Sequence, residues 1–148
     1  MTRLLDVNVL VALAWPNHIH HGRALAWFRE VREGGWATSP VTESGFVRVS
    51  SNVRAIPDAR TPQEAMALLR RLRAMAKHTF WPDDVSAATD AADSGNESGP
   101  FARVVGYRQV TDAHLVALAL RHGGKLATFD EGVVALVPGR EGVVEMIP

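Results

Sequence analysis

Leu4-Leu5-Asp6-Val7-Asn8-Val9-Leu10-Val11 is the stretch that decides the fold. Arg3 to Leu5 reads as a short strand. Val7 to Trp15 is apolar almost all round, the pattern of a buried helix, and Pro16 ends it. The strand passes directly into the helix, with Asp6 at the junction. The same alternation continues outward. Asn17-His18-Ile19-His20-His21 connects to a second helix, Gly22 to Glu33, whose stripe is Ala24, Leu25, Trp27, Phe28 and Val31. Gly34-Gly35 closes it, and Trp36-Ala37-Thr38 is a second strand. Ser39 caps a third helix with Pro40 in its first turn, running to about Asn52.

Ile56 to Arg60 is a loop, and Thr61-Pro62 starts a helix to about Lys77. Met66, Leu69, Leu72 and Ala76 form its apolar stripe; Arg70, Arg73 and Lys77 share the opposite face. Thr79-Phe80-Trp81 is a third strand, ended by Pro82, and Asp83 to Ala92 reads as a short helix. Residues 93–100 form a polar, breaker-rich loop, the segment best suited to disorder, and the region from about Asp83 to Tyr107 carries no motif. Thr111 to His122 is a helix, closed by Gly123-Gly124; Lys125 to Thr128 and Val143 to Met146 are the last strands. Short strands alternating with helices imply crossover connections. The expectation is one α/β domain over residues 1–148, a three-layer α/β/α sandwich whose short, mostly parallel central sheet is flanked by helices.

At 148 residues and 47% hydrophobic content the chain can bury a real core. No apolar run approaches the roughly 18 residues that span a bilayer, and the opening Met1-Thr2-Arg3 has no signal-peptide pattern. With no cysteine there is no disulfide or thiolate metal site, and a cytoplasmic location is the default expectation. The formal net charge of zero argues against a surface that grips nucleic acid everywhere, but leaves room for a local basic patch.

Four carboxylates fall at the ends of these elements. Asp6 ends the first strand; Glu43 lies in the first turn after Ser39-Pro40; Asp112 opens the apolar helix after Val110-Thr111; Asp130 follows the strand Leu126-Ala127-Thr128 and Phe129. In an open α/β sheet such ends gather at the binding edge. Each residue alone has a plainer explanation: Asp6 as a helix cap, Glu43 and Asp112 as first-turn acids favoured by the helix dipole, Asp130 as a turn residue. The conjunction is harder to dismiss. Two like charges about 4 Å apart repel by roughly 4 kcal/mol at an effective dielectric near 20, so a converging cluster needs protons or a cation, and hard oxygen ligands suit Mg²⁺ or Mn²⁺.

The ordered blocks Leu4-Leu5-Asp6-Val7-Asn8-Val9-Leu10, Ala37-Thr38-Ser39-Pro40-Val41-Thr42-Glu43, Val110-Thr111-Asp112-Ala113-His114-Leu115 and Leu126-Ala127-Thr128-Phe129-Asp130 resemble the PIN-domain nucleases, and within them the VapC toxins of toxin–antitoxin modules. The resemblance spans nearly the whole chain. It implies a Mg²⁺- or Mn²⁺-dependent endoribonuclease that cuts a structured RNA such as transfer or ribosomal RNA, with Asp6, Glu43, Asp112 and Asp130 as the acidic quartet that holds metal, supported by Asn8 and Thr128. It also implies a homodimer and a cognate VapB-type antitoxin. Self-association is expected through helices near the N-terminal half, including the one bearing Trp27 and Phe28.

No other nucleophile competes: there is no Gly-x-Ser-x-Gly elbow, no Walker A loop and no Gly-x-Gly-x-x-Gly fingerprint. His18, His20 and His21 match no common zinc spacing and read as a solvent-exposed turn. Arg70, Arg73 and Lys77 are the leading RNA phosphate contacts, against the plainer reading of a solvated helix face; Arg23, Arg48 and Arg54 are similar candidates. The four tryptophans read as core. Two rivals stand beside the ribonuclease. A Mg²⁺-dependent aspartyl phosphatase would use Asp6 as nucleophile but lacks a second aspartate two residues on, where Asn8 stands. A non-catalytic PIN-fold module would bind RNA or protein without needing the quartet.

Overall fold

Leu4 and Leu5, adjacent in the first strand, belong to two different hydrophobic cores. A strand sends successive side chains to opposite faces, so a fully buried pair marks a strand covered on both sides. The computed structural model describes residues 1–57, 59–88 and 99–148. Five strands form one sheet: β1 (Arg3–Leu5), β2 (Trp36–Thr38), β3 (His78–Phe80), β4 (Lys125–Thr128) and β5 (Val144–Met146). Their order is β3-β2-β1-β4-β5 and every pairing is parallel. β1 is central, with Leu4 opposite Ala37 on one side and Leu126 on the other. The sequence therefore winds outward in both directions from β1, and the order reverses between β1 and β4.

One face carries α1 (Val7–Ala14), α2 (His21–Val31), α3 (Pro40–Ser50) and α4 (Pro62–Arg73). Their side chains Val9, Leu10, Trp27, Phe28, Phe46 and Leu69 pack with Leu5, Trp36 and Ala127. The other face carries α5 (Val110–Arg121) and the 3₁₀ turns Glu131–Leu136. There Leu115, Val116, Leu118, Ala119 and Val133 pack with Leu4, Ala37, Leu126 and Trp81. The result is the expected α/β/α layering. Burying Leu-sized side chains contributes roughly 1.5–3 kcal/mol each, and ten of the twelve largest fully buried side chains among the described residues are Leu or Val from β1, β4, α1, α5 and the turn after β4.

Several boundaries differ from the sequence reading. α4 stops at Arg73, not Lys77, because the chain must double back into β3; Lys77 takes a left-handed φ of 67° outside the helix. Its carbonyl accepts from the Trp36 amide and the Ala76 carbonyl from Trp36 Nε1. Lys77 therefore shares no helix face with Arg70 and Arg73, and Ala76 falls outside the helix whose apolar stripe it was expected to extend. β3 begins at His78, one residue early, although the Trp81 amide still donates to Thr38 at 2.8 Å and prolongs the ladder. The helix expected over Asp83 to Ala92 is absent from 83–88; Asp83 and Asp84 instead reach across to His114 and to His122 and Arg121 on α5. Residues 89–92 of that expectation, and residues 93–98 of the expected polar loop, lie outside the described residues. Trp27 and Phe28 are 6% and 4% exposed, so the aromatic stripe of α2 faces the core and supplies no docking surface. No described helix is long and apolar enough to cross a membrane.

Candidate active site

Asp6 leaves β1 and caps α1, with φ and ψ of −62° and 158°. Its Oδ1 accepts from the Val7 amide at 2.7 Å, and its Oδ2 accepts from the Thr128 hydroxyl at 2.7 Å. Thr128 ends β4, the strand beside β1, so neighbouring strand ends deliver both partners. The Thr128 hydroxyl also accepts from Asn8 Nδ2 at 3.2 Å and from the Asp130 amide at 3.1 Å. A hydroxyl has one proton and two lone pairs, and this one is fully used. Asn8 Oδ1 in turn accepts from the Phe129 amide at 3.3 Å. Asn8 and Thr128 thus tie the start of α1 to the end of β4. Asp130 opens the turn that follows, its Oδ1 accepting from the Gly132 amide at 2.8 Å.

Asp112 comes from the far layer, in the first turn of α5. Asp6, Asp112 and Asp130 line one cavity of about 340 Å³, together with Val7, Asn8, Val11, His18 and Val49. Burial pushes Asp6 above the usual carboxylate range, against the pull of its bonds to Thr128 and Val7, and the charge of Asp130 adds to the rise. Burial also lifts Asp112, to about 6, with Asp6 and Asp130 contributing repulsion. The three carboxylates therefore feel one another. Among the described residues, no Lys or Arg lines this cavity.

Glu43 is placed differently. It lies in the first turn of α3, whose cap is Ser39 with Thr42 reciprocating. Its Oε1 accepts from the Thr38 hydroxyl at 2.6 Å, and Arg73 approaches it at 3.4 Å through Nε and 3.5 Å through Nη1. That hydroxyl's one proton goes to Glu43, so it must accept from the His78 Nε2–H at 2.8 Å. Burial and Arg73 hold His78 below its ordinary value, in keeping with a neutral ring. The Arg73 guanidinium also sits 4.9 Å from the Phe80 ring centroid. Glu43 does not line the cavity of the three aspartates.

Sequence reasoning missed the Thr38–His78–Arg73 chain around Glu43, because His78 and Arg73 reach it only through β3 and the end of α4. It also placed His18 in a solvent-exposed turn, whereas the structure packs His18 into a cavity wall. His18 is half-buried and lines the carboxylate cavity; His20 stacks on Phe129 at 4.8 Å; His21 Nδ1 donates to the Ala12 carbonyl at 2.8 Å. Arg23 lies 5.3 Å from the same Phe129 ring and donates to the carbonyls of Ile147 and Pro148. Nothing in the local pattern signals these packings.

The three aspartates present carboxylate oxygens to the cavity, which fit a hard divalent cation. Among the described residues, no three carboxylate or imidazole groups close around a single point. Mg²⁺ ordinarily keeps several waters and takes only one or two carboxylates directly, so this spacing does not count against it.

Comparison with known proteins converges with the geometry. The family model for the PIN domain matches residues 3–137. Ribonuclease VapC39 of Mycobacterium tuberculosis (strain ATCC 25618 / H37Rv) is 47% identical over 147 residues, spanning 99% of this chain and all of the relative. Ribonuclease VapC38 of the same strain is 51% identical over 137 residues, spanning 93% of this chain and 91% of that one. The crystal structure of FitAcB from Neisseria gonorrhoeae shares the fold, with a TM-score of 0.56 at 19% identity over 90% of this chain and 92% of the other. A chain with this sheet order, this conjunction of strand-end carboxylates and these relatives belongs to the PIN-domain family, in its VapC branch.

Proposed function

We propose that this protein is a Mg²⁺- or Mn²⁺-dependent endoribonuclease, the toxin of a VapBC-type toxin–antitoxin pair, acting in the cytoplasm on a structured RNA. The observation that carries the reading is the convergence of Asp6, Asp112 and Asp130 on one cavity, where burial first and then the neighbouring carboxylates lift Asp112 to about 6. A structure that needed these residues only as caps would not gather them. When bound, a divalent cation there would offset this charge, polarise the scissile phosphate and lower the pKa of a bound water. Asp6, Asp112 and Asp130 are the residues that would hold it. Thr128 and Asn8 keep Asp6 oriented and fix the end of β4 against the start of α1. Glu43, the fourth carboxylate that the family resemblance implies, stands on α3 outside that cavity and is restrained by Thr38 and Arg73. The antitoxin and the homodimer are what the family resemblance implies; a monomer by light scattering at micromolar concentration would remove the dimer.

The test is to map new RNA ends in cells expressing the protein against cells expressing Asp112→Asn. Discrete ends present only with the parent support the reading; identical end profiles overturn it.

A further inference from the structure

A second and larger cavity, about 820 Å³, adjoins the carboxylate cavity, and His18 lines both. Its walls come from the end of α1 and from the loop after α3, including Trp15, Ala55, Ile56, Pro57 and Arg60. The catalytic reading makes no use of it. Three details give it a chemistry. Trp15 is half-buried, and its Nε1 donates to Ser50 Oγ at 3.0 Å, which pins the indole in place. His18 Nδ1 accepts from the His20 amide at 3.1 Å, so the neutral ring carries its proton on Nε2 and keeps a donor. Arg60 is exposed at the rim and brings a positive charge.

We infer that this cavity is a subsite for one unpaired RNA nucleotide next to the scissile phosphate, a specificity element that rests on the ribonuclease reading above. Apolar and aromatic walls with a few polar groups are what a nucleobase requires, and unstacked bases are how proteins read RNA sequence. Because His18 borders both cavities, a strand whose phosphate lies at the carboxylates brings its neighbouring nucleotide to the larger one. The indole and Ile56 offer a face to the base, the His18 Nε2–H a donor to its edge, and Arg60 a cation to the adjoining phosphate. A base stacked within a duplex cannot enter, so the substrate must present a loop, bulge or single strand there.

Trp27, Trp36 and Trp81 are 6%, 1% and 5% exposed, which leaves Trp15 as the tryptophan that reports on solution. The experiment titrates the full-length protein in EDTA with a short single-stranded oligoribonucleotide of mixed sequence and follows tryptophan emission. Saturable quenching is expected, absent in Trp15→Phe and at least about tenfold weaker in Ala55→Leu, which narrows the cavity. With Mg²⁺, Ala55→Leu should raise KM while the Mg²⁺-induced rise in Tm stays as in the parent. The inference is overturned if the oligonucleotide binds by anisotropy without changing Trp15, if a duplex of the same sequence quenches equally, if only an apolar peptide quenches, or if Ala55→Leu cleaves with the parent's KM. Those outcomes leave the ribonuclease reading standing; failure of the parent to cleave any RNA with either cation removes that reading itself.

Discussion

Asp6 and Asp112 carry their charge at different cost. Asp6 is nearly buried but accepts two short hydrogen bonds; Asp112 is half-exposed, and no described side chain donates to it. This makes Asp112→Asn the cleaner variant, since an amide at position 6 would present NH₂ to the Thr128 hydroxyl or to the Val7 amide. A carboxyl whose folded pKa lies above its unfolded value binds protons more tightly in the folded state. Its ionisation therefore weakens folding as pH rises from the unfolded pKa of 3.8 to about 6, and the loss is complete above that. Metal-free Asp112→Asn should lack this dependence. Thermal unfolding in chelator should show the variant matching the parent near pH 4 and melting higher near pH 7; a variant equally or less stable at pH 7 would mean that neither burial nor the neighbouring carboxylates disfavour the Asp112 charge. Thr128 is fully buried and saturated in hydrogen bonds. Thr128→Val should cost about 1–3 kcal/mol by denaturant titration, because Asn8 and the Asp130 amide lose their acceptor. A loss within a few tenths would mean that water replaces the hydroxyl.

At the scale of elements, α1 and α3 approach closely at Gly45. A Cβ added there would lie 2.5 Å from Val7 Cγ2 and 3.5 Å from Val7 Cγ1. Rotating Val7 exchanges one methyl for the other and leaves the preferred helical rotamer. Gly45→Ala should therefore destabilise by about 1–3 kcal/mol through overpacking, despite alanine's advantage of roughly 1 kcal/mol in helix propensity. A gain in Tm would show that the helices separate freely. This contact explains what was legible. Strands β1, β2 and β4 and the caps of α3 and α4 follow from short-range signals, namely apolar pairs, Ser39-Pro40 and Thr61-Pro62. The end of α4 and the course of residues 83–88 depend on partners far along the chain, Trp36 for one and His114 with His122 for the other. The aspartates at the ends of β1 and β4 could be read because parallel strands end together. Glu43's ties to Arg73 and Thr38, His18's place in the cavity wall and the inward face of Trp27 and Phe28 are tertiary facts with no local pattern.

For the whole molecule, a formal net charge of zero means that RNA attraction must come from local patches. Among the described residues, exposed Arg70 and Lys77 form no ion pair, whereas Arg73 is engaged by Glu43 and Phe80. The three basic residues thus divide into two roles. Arg70→Gln with Lys77→Gln should raise KM, leave saturated turnover near the parent's and reduce the salt dependence of RNA affinity. Unchanged affinity at every salt concentration would move the substrate path elsewhere. Arg73→Gln should act on turnover as well, because it frees Glu43.

The central claim is that the three aspartates bind a divalent cation which RNA hydrolysis requires. Its most direct test is cleavage of RNA by the purified protein in Mg²⁺ or Mn²⁺, repeated in EDTA and with Asp112→Asn, with the ends mapped. The account predicts discrete cuts that vanish on chelation, return when the cation is restored, and fall to background in Asp112→Asn. Cuts that persist under thorough chelation, or at the parent's rate in Asp112→Asn, would contradict it.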